Sequence, residues 1–173
     1  MQSIAQNIQT LFHATKVLVV DDEHYTRKVL RTLLTAIGIK NVYEADDGAT
    51  GLESIRNIVP DVVLVDWEMP GLDGPSFVRA VRSPADFPVP HVPIIMLTAH
   101  GERWRVLQAM RLGVHEYLLK PVSSKTLLDR MVAILTHPRP IVKVGDYYGP
   151  EPRKTGVYRP EIDRTRDEIF LVN

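Results

Sequence analysis

Apolar residues follow two alternating rhythms along this chain. Short runs such as Val17–Val20, Val62–Val65 and Ile94–Leu97 are unbroken, rich in β-branched residues and closed by a polar residue. Runs of this kind, bounded by turn residues, read as strands buried on both faces of a parallel sheet. Between them the apolar positions spread to every third and fourth residue, the spacing of amphipathic helices. The pattern predicts a short helix over 3–13, with Ile4, Ile8, Leu11 and Phe12 on one side and Ser3 as its cap. A strand follows at Lys16–Val20, then a helix over 25–37 through Tyr25, Val29, Leu30, Leu33, Leu34 and Ile37, closed by Gly38. Asn41–Ala45 reads as a strand and Gly48–Ile58 as a helix with Leu52 and Ile55 inward. The strand that stops at Asp66 is next, followed by a helix over about 74–82 and a connector holding Pro84, Pro88, Pro90 and Pro93. Pro93–Leu97, a helix over 102–112 ending at Gly113, Glu116–Leu119, and a helix over 123–136 complete the series.

Strand and helix thus alternate five times, which argues for βαβ units and an α/β, doubly wound parallel sheet with helices on both faces. Residues 1–14 read as an N-terminal extension and 15–136 as the domain itself. From His137 to Asn173 the sustained periodicity ends, and Pro138, Pro140, Pro150, Pro152 and Pro160 appear with several glycines. A stretch this short and apolar-poor cannot bury a second core, so 137–173 reads as a Pro-rich tail without an output domain. Within it, Ile141, Val142, Tyr147, Tyr148, Ile169, Phe170 and Leu171 are the residues able to dock on the domain or on a second copy; otherwise the tail is a disordered extension.

Composition narrows the function classes. The 173 residues carry 21 Lys plus Arg and 21 Asp plus Glu, so net charge gives no electrostatic reason for nucleic acid or a membrane surface. With no cysteine there is no disulfide, thiolate metal site or Cys nucleophile. No apolar run reaches the ~20 residues of a membrane span, and the N-terminus lacks the features of a signal peptide, so a soluble cytoplasmic protein is the expectation.

The chemistry collects at the strand ends. Parallel α/β sheets bind ligands at the carboxyl ends of their strands. There the chain places Asp21 and Asp22, Asp66, Thr98 and Lys120. Any one of these polar residues alone is more simply a turn cap. Together, three carboxylates repel one another unless a cation joins them. Oxygen ligands with room for water suit Mg²⁺, which takes one or two carboxylates plus phosphate oxygens. A carboxylate that attacks phosphorus becomes an acyl phosphate. Phosphoryl transfer needs mainly positioning and charge neutralisation, which a metal, Lys120 and the Thr98 hydroxyl would supply.

Four segments in this order carry a resemblance: Val17–Glu23, Pro60–Gly74, Pro93–Ala99 and Gly113–Val122. They resemble the receiver domain of two-component response regulators, the family of the chemotaxis response regulator, over about 15–136. The resemblance implies a flavodoxin-like five-stranded sheet in the order 2-1-3-4-5. It implies that Asp66 is the phosphoacceptor and that Asp21, Asp22, Asp66 and the backbone carbonyl of Glu68 bind Mg²⁺. Thr98, Lys120 and the backbone N–H of Ala99 would hold the phosphoryl group, Thr98 and Tyr117 would be the switch pair, and the Lys120–Pro121 bond would be cis. Glu68 and His100 stand where the family tunes hydrolysis of the acyl phosphate. Implied partners are a sensor histidine kinase or His-phosphotransfer protein and an unidentified downstream protein, with no nucleic acid or membrane; a homodimer through the 3–13 helix stays open.

Thr98 follows Asp66 by 32 positions, slightly more than in compact family members, and the excess falls in the Pro84–Pro93 connector. A longer loop is expected there, with the site unchanged. Arg139-Pro140 and the run Tyr147–Lys154 resemble the tails of stand-alone alphaproteobacterial receivers. The implied function is a single-domain response regulator, not an enzyme beyond self-dephosphorylation. Two alternatives compete. One is a phosphorylation-independent adaptor, against which the complete acceptor set argues. The other is an aspartate-nucleophile phosphatase of the haloacid dehalogenase type, which needs a second Asp two residues after the nucleophile, where this chain has Glu68.

Overall fold

The structure is a computed structural model and describes residues 3–153. In chain order its elements are α1 (Ile4–Ala14), β1 (Lys16–Val20), α2 (His24–Ala36), β2 (Asn41–Ala45), α3 (Gly48–Ile58), β3 (Val62–Asp66) and α4 (Gly74–Val81). There follow β4 (Ile94–Thr98), α5 (Arg103–Leu112), β5 (Glu116–Leu119), α6 (Ser124–Thr136), β6 (Ile141–Val144) and β7 (Tyr147–Pro150). The first five strands form one parallel sheet in the order β2-β1-β3-β4-β5.

Strand side chains alternate between faces, and here each face supports its own core. Leu18, Val20, Val63, Val65, Ile94 and Met96 face one way, onto Ile55, Phe77, Val78, Val81 and Ala109 of α3, α4 and α5. Val17, Val19, Val62, Leu64, Ile95 and Leu97 face the other way, onto Leu30, Leu34, Leu127 and Met131 of α2 and α6. That is why β1, β3 and β4 are continuous apolar runs. Each fully buried aliphatic or aromatic side chain contributes about 1.5–3 kcal/mol relative to exposure. The N-terminal helix joins the second core through Phe12, which is fully buried and packs beside Gly38.

The helices begin where the sequence offers caps. Ser3 and Gln6 form a reciprocal capping box on α1. Asp47, Asp73 and Ser123 each accept a backbone N–H from the first turn of α3, α4 and α6. Among the described residues no helix is long and apolar enough to cross a membrane.

The Pro-rich connector between α4 and β4 is held by its own anchors. Phe87 and Val92 are buried. Arg82, also buried, donates from Nε to the Gly113 carbonyl at 2.8 Å and from NH1 to the Pro90 carbonyl at 2.6 Å. A third guanidinium nitrogen lies 3.3 Å from Nδ1 of His115, which also accepts the Ile94 N–H. Burial, with Arg82 and Arg139 beside it, pushes the His115 imidazole down to about 2, so the ring is neutral and serves as an acceptor. The extra length is therefore a pinned loop on the side wall of the domain.

The region after α6 contains local structure that no periodicity announced. β6 and β7 pair as an antiparallel hairpin, and β7 packs against α5. Ile141, Val142, Tyr147 and Tyr148 are each partly buried in it. The later apolar residues Ile169, Phe170 and Leu171 lie outside the described residues. Arg139 ties the hairpin down by donating to the carbonyls of His115 (2.7 Å) and Glu151 (2.9 Å), and Arg153 pairs with the buried Glu116.

The closest approach is backbone on backbone. Gly113 ends α5 at φ +89°, and a Cβ there would stand 2.3 Å from the Tyr148 carbonyl oxygen. Gly113→Ala is therefore expected to lose about 2–3 kcal/mol in urea denaturation and to speed amide exchange across 141–150. Gly71→Ala, at φ +75° with nothing within 4 Å of the added Cβ, is expected to lose only the backbone part, about 1–2 kcal/mol, without changing hairpin exchange.

Candidate functional site

The sheet register delivers the polar strand ends to one edge. Asp66 lies beside Leu97, and Thr98 beside Leu119, so β3, β4 and β5 end nearly level. Asp21 follows β1 directly and bonds back to the Ala45 carbonyl. The three carboxylates of Asp21, Asp22 and Asp66 can place one oxygen each within 4.8 Å of the others. Asp21 and Asp66 are buried while Asp22 is exposed at the rim.

Lys120 spans the pair behind. Its Nζ is 2.9 Å from Asp66 Oδ1 and 3.0 Å from Asp21 Oδ2, and the Lys120–Pro121 bond is cis. Burial pushes the Lys120 ammonium down, but its bonds and charge attraction to Asp66 and Asp21 outweigh that and hold it above the ordinary lysine value. Asp66 moves the other way. Burial raises it to about 6, Asp21 adds to the rise, and Lys120 only partly opposes it. One ammonium does not balance three carboxylates, so the cluster has the charge and oxygen donor set of a divalent cation site. The carboxylates of Asp21, Asp22 and Asp66 are hard oxygen donors that fit Mg²⁺.

Thr98 and Tyr117 meet at one residue, His100, and their side chains are also within hydrogen-bond reach of each other. The buried Thr98 hydroxyl accepts the His100 N–H at 3.1 Å. The Tyr117 hydroxyl donates to the His100 carbonyl at 2.6 Å. Burial raises the Tyr117 phenol, so it stays protonated and a donor at neutral pH. Ala99, between these residues, is exposed at the edge of the site.

The two positions singled out beyond the acceptor and the threonine also touch. His100 Nε2 is 3.3 Å from Glu68 Oε1, and Arg105 of α5 donates to the same oxygen at 3.1 Å. Arg105 is in turn stacked over Trp67 and Trp104, 5.2 and 5.0 Å from their ring centres. Trp67 is buried, with its ring edge-on to both Trp104 and Tyr117 at 6.3 Å. Neither Arg105 nor the inward role of Trp67 was predicted. The available signal was an aromatic directly after Asp66 and a second Trp flanked by two arginines.

A profile of the response regulator receiver domain matches residues 17–132. This chain belongs to that family. It is 36% identical over 116 residues to the chemotaxis protein CheY-3 of Vibrio cholerae, covering 67% of this chain and 88% of that one. It is 37% identical over 119 residues to the chemotaxis protein CheY of Pseudomonas aeruginosa, covering 69% and 94%. Among solved structures it is similar to Vibrio cholerae CheY4, with TM-score 0.63, 31% identity and coverage of 70% and 98%. A receiver domain protein of Clostridium thermocellum is similar at TM-score 0.64 and 31% identity, covering 70% and 94%. The chain is thus a response regulator of two-component signalling, with the flavodoxin-like receiver fold. The matched residues exclude α1 and the hairpin.

The raised pKa of Asp66 has a stability consequence. The unfolded carboxyl ionises near 3.9, while in the fold Asp66 holds its proton up to about 6. Between these values the folded state binds more protons, so stability falls as pH rises from about 4 to 6 and stays lowered above it. With divalent cations chelated, Asp66→Asn is expected to be more stable than the parent by about 1–3 kcal/mol at pH 8. Denaturation midpoints should converge as the pH falls towards 4, and a gap independent of pH would contradict this origin.

Proposed function

We propose that Asp66 accepts a phosphoryl group from the phosphohistidine of a sensor histidine kinase or a His-phosphotransfer protein. The observation that carries this reading is the cluster itself: three carboxylates within 4.8 Å, two of them spanned by Lys120, at the open edge of a parallel sheet. Asp21, Asp22, Asp66 and the Glu68 backbone carbonyl would hold Mg²⁺. When bound, the ion neutralises the carboxylates and the phosphoryl oxygens.

In the transfer an Asp66 carboxylate oxygen attacks phosphorus. The P–O bond forms as the P–N bond breaks, and the imidazole leaves with the bonding electron pair. At neutral pH Asp66 is mostly ionised, as a nucleophile must be, because its value of about 6 lies below 7. Lys120 is in place beside it to meet the arriving charge. The Thr98 hydroxyl and the Ala99 N–H would donate to the phosphoryl oxygens.

Thr98 already holds the His100 N–H, and Tyr117 holds the His100 carbonyl. When Thr98 turns to the phosphoryl group it releases the His100 N–H, and the Tyr117 bond to the His100 carbonyl is free to move with it. His100 is thus the link between the two switch residues. The face made by α5, β5 and α6 would read the change, a two-state element biased by a local charge. Glu68, joined to His100 and Arg105, lies over the rim where water must enter to hydrolyse the acyl phosphate. The protein acts as a phosphoacceptor, with self-dephosphorylation as its only turnover, and works on a downstream protein target.

Incubation with a ³²P-labelled cognate kinase or labelled acetyl phosphate tests the assignment. Label should appear on the parent protein, be abolished in Asp66→Asn and disappear when Mg²⁺ is chelated. Persistent wild-type labelling of Asp66→Asn would sink it. Lys120→Ala is expected to slow phosphorylation by about 100-fold in the same assay, the usual loss on removing one charge-stabilising group. Steady turnover of a phosphomonoester by the parent protein would favour the phosphatase reading instead.

A further inference from the structure

The C-terminal hairpin does not simply cover the face made by α5, β5 and α6. It leaves a groove of about 550 Å³ between itself and the body of the domain. The groove is lined by His115 and by all of β5, Glu116 to Leu119, so it runs the length of that strand, about 13 Å at the usual rise. Among the described residues β5 is the edge of the sheet, paired to β4 alone. Sheet edges accept extended segments through main-chain hydrogen bonds.

The charges of the groove do not balance. Among the described residues its lining has one carboxylate, Glu116, and three guanidinium groups, Arg130, Arg139 and Arg153, an excess of two positive charges (three minus one). His115 is the neutral acceptor described above and adds nothing. Arg153 and Arg130 both point to Glu116, the latter at 3.7 Å. Among the described residues the Nε–H of Arg130 is buried without a partner. Three cations around one acid, with a buried donor unused, make an incomplete anion site. The remaining walls are apolar, including Met110 and Pro150.

We propose that this groove binds an extended acidic segment of a partner protein, laid along β5. Carboxylates of the segment sit among Arg130, Arg139 and Arg153, and an apolar side chain of the segment rests on Met110 and Pro150. Two of the three arginines come from outside the receiver match, which ends at residue 132. The hairpin therefore builds half of a recognition site that the receiver core lacks. At its other end the groove is walled by Tyr117, so an occupant touches the residue assigned to the switch. This regulatory part rests on the phosphoacceptor reading given above; the binding part does not.

Selection of random twelve-residue peptides on the full-length protein tests the proposal. Selected sequences are expected to be enriched in Asp and Glu beside aliphatic residues. Their binding, read by fluorescence anisotropy, should weaken at least tenfold in Arg130→Glu and in 0.5 M salt. Arg130 is the chosen site because it contacts Glu116 without tying the hairpin to the domain; Arg130→Gln, a milder change, should weaken binding less, and thermal melts confirm that both variants fold. Bound peptide should slow amide exchange in 115–119 and 141–150. Selection without acidic enrichment, no selection at all, or binding indifferent to Arg130→Glu would overturn the proposal. So would light scattering that reports a dimer abolished by Arg130→Glu, which would make a second copy the occupant. If Asp66 is labelled by acetyl phosphate and peptides ignore the groove, the docking inference alone fails. If peptides bind there and Asp66 is never labelled, the phosphoacceptor reading alone fails.

Discussion

Mutual repulsion among Asp21, Asp22 and Asp66 is the constraint on which this molecule depends. Their oxygens come within 4.8 Å, a separation at which unscreened like charges cost several kcal/mol. The fold accepts that cost because the sheet register leaves no alternative: β1 and β3 are neighbours and end level. Lys120 offsets part of it from β5, two strands away from β3. Burial, with the Asp21 charge adding to it, keeps the value of Asp66 raised. A site held together by an incomplete charge balance is poised to gain from a cation and from a group that changes the count. Stability and reactivity here have one origin.

The same edge bears on how a change at Asp66 would be transmitted and not absorbed locally. Both faces of the sheet are packed with fully buried side chains, and close-packed interiors do not deform smoothly. The loop after β4 is tied instead through one residue, His100, whose N–H donates to Thr98 and whose carbonyl accepts from Tyr117. Arg105 adds a second tie from α5 to the rim, through Glu68, stacked against Trp67 and Trp104. A change at Asp66 therefore reaches α5 by two short routes, one of hydrogen bonds and one of charge and aromatic contact.

Much of this was legible in the residues, for physical reasons. β1, β3 and β4 are buried on both faces, so each had to be an apolar run, and a polar residue closing such a run has to serve something other than packing. Asp21, Asp66 and Thr98 close such runs, Lys120 follows the shorter β5, and their assembly at one edge follows from parallel topology. The less legible features lack a periodic signature. His115 and Arg82 are buried polar groups satisfied by backbone atoms distant in sequence, and nothing local marks them as interior. Arg105 reads as one charge of a solvated helix until the fold brings Glu68 across from β3. The β6–β7 hairpin is four residues a side, too short for alternation to declare itself. It is held largely by glycine-to-backbone approach and by Arg139 and Arg153.

That last point bears on how such a hairpin acquires a role. An isolated two-stranded hairpin is marginal in water, so this one persists through its ties to the domain. Those ties fall on Gly113, His115 and Glu116, the residues that lead into and open β5. The segment with the least stability of its own is thus fastened to the strand that carries Tyr117 and leads into Lys120. Any rearrangement of β5 must be felt in the hairpin, and any partner that grips the hairpin must bias β5 in return, because coupling between two sites is reciprocal.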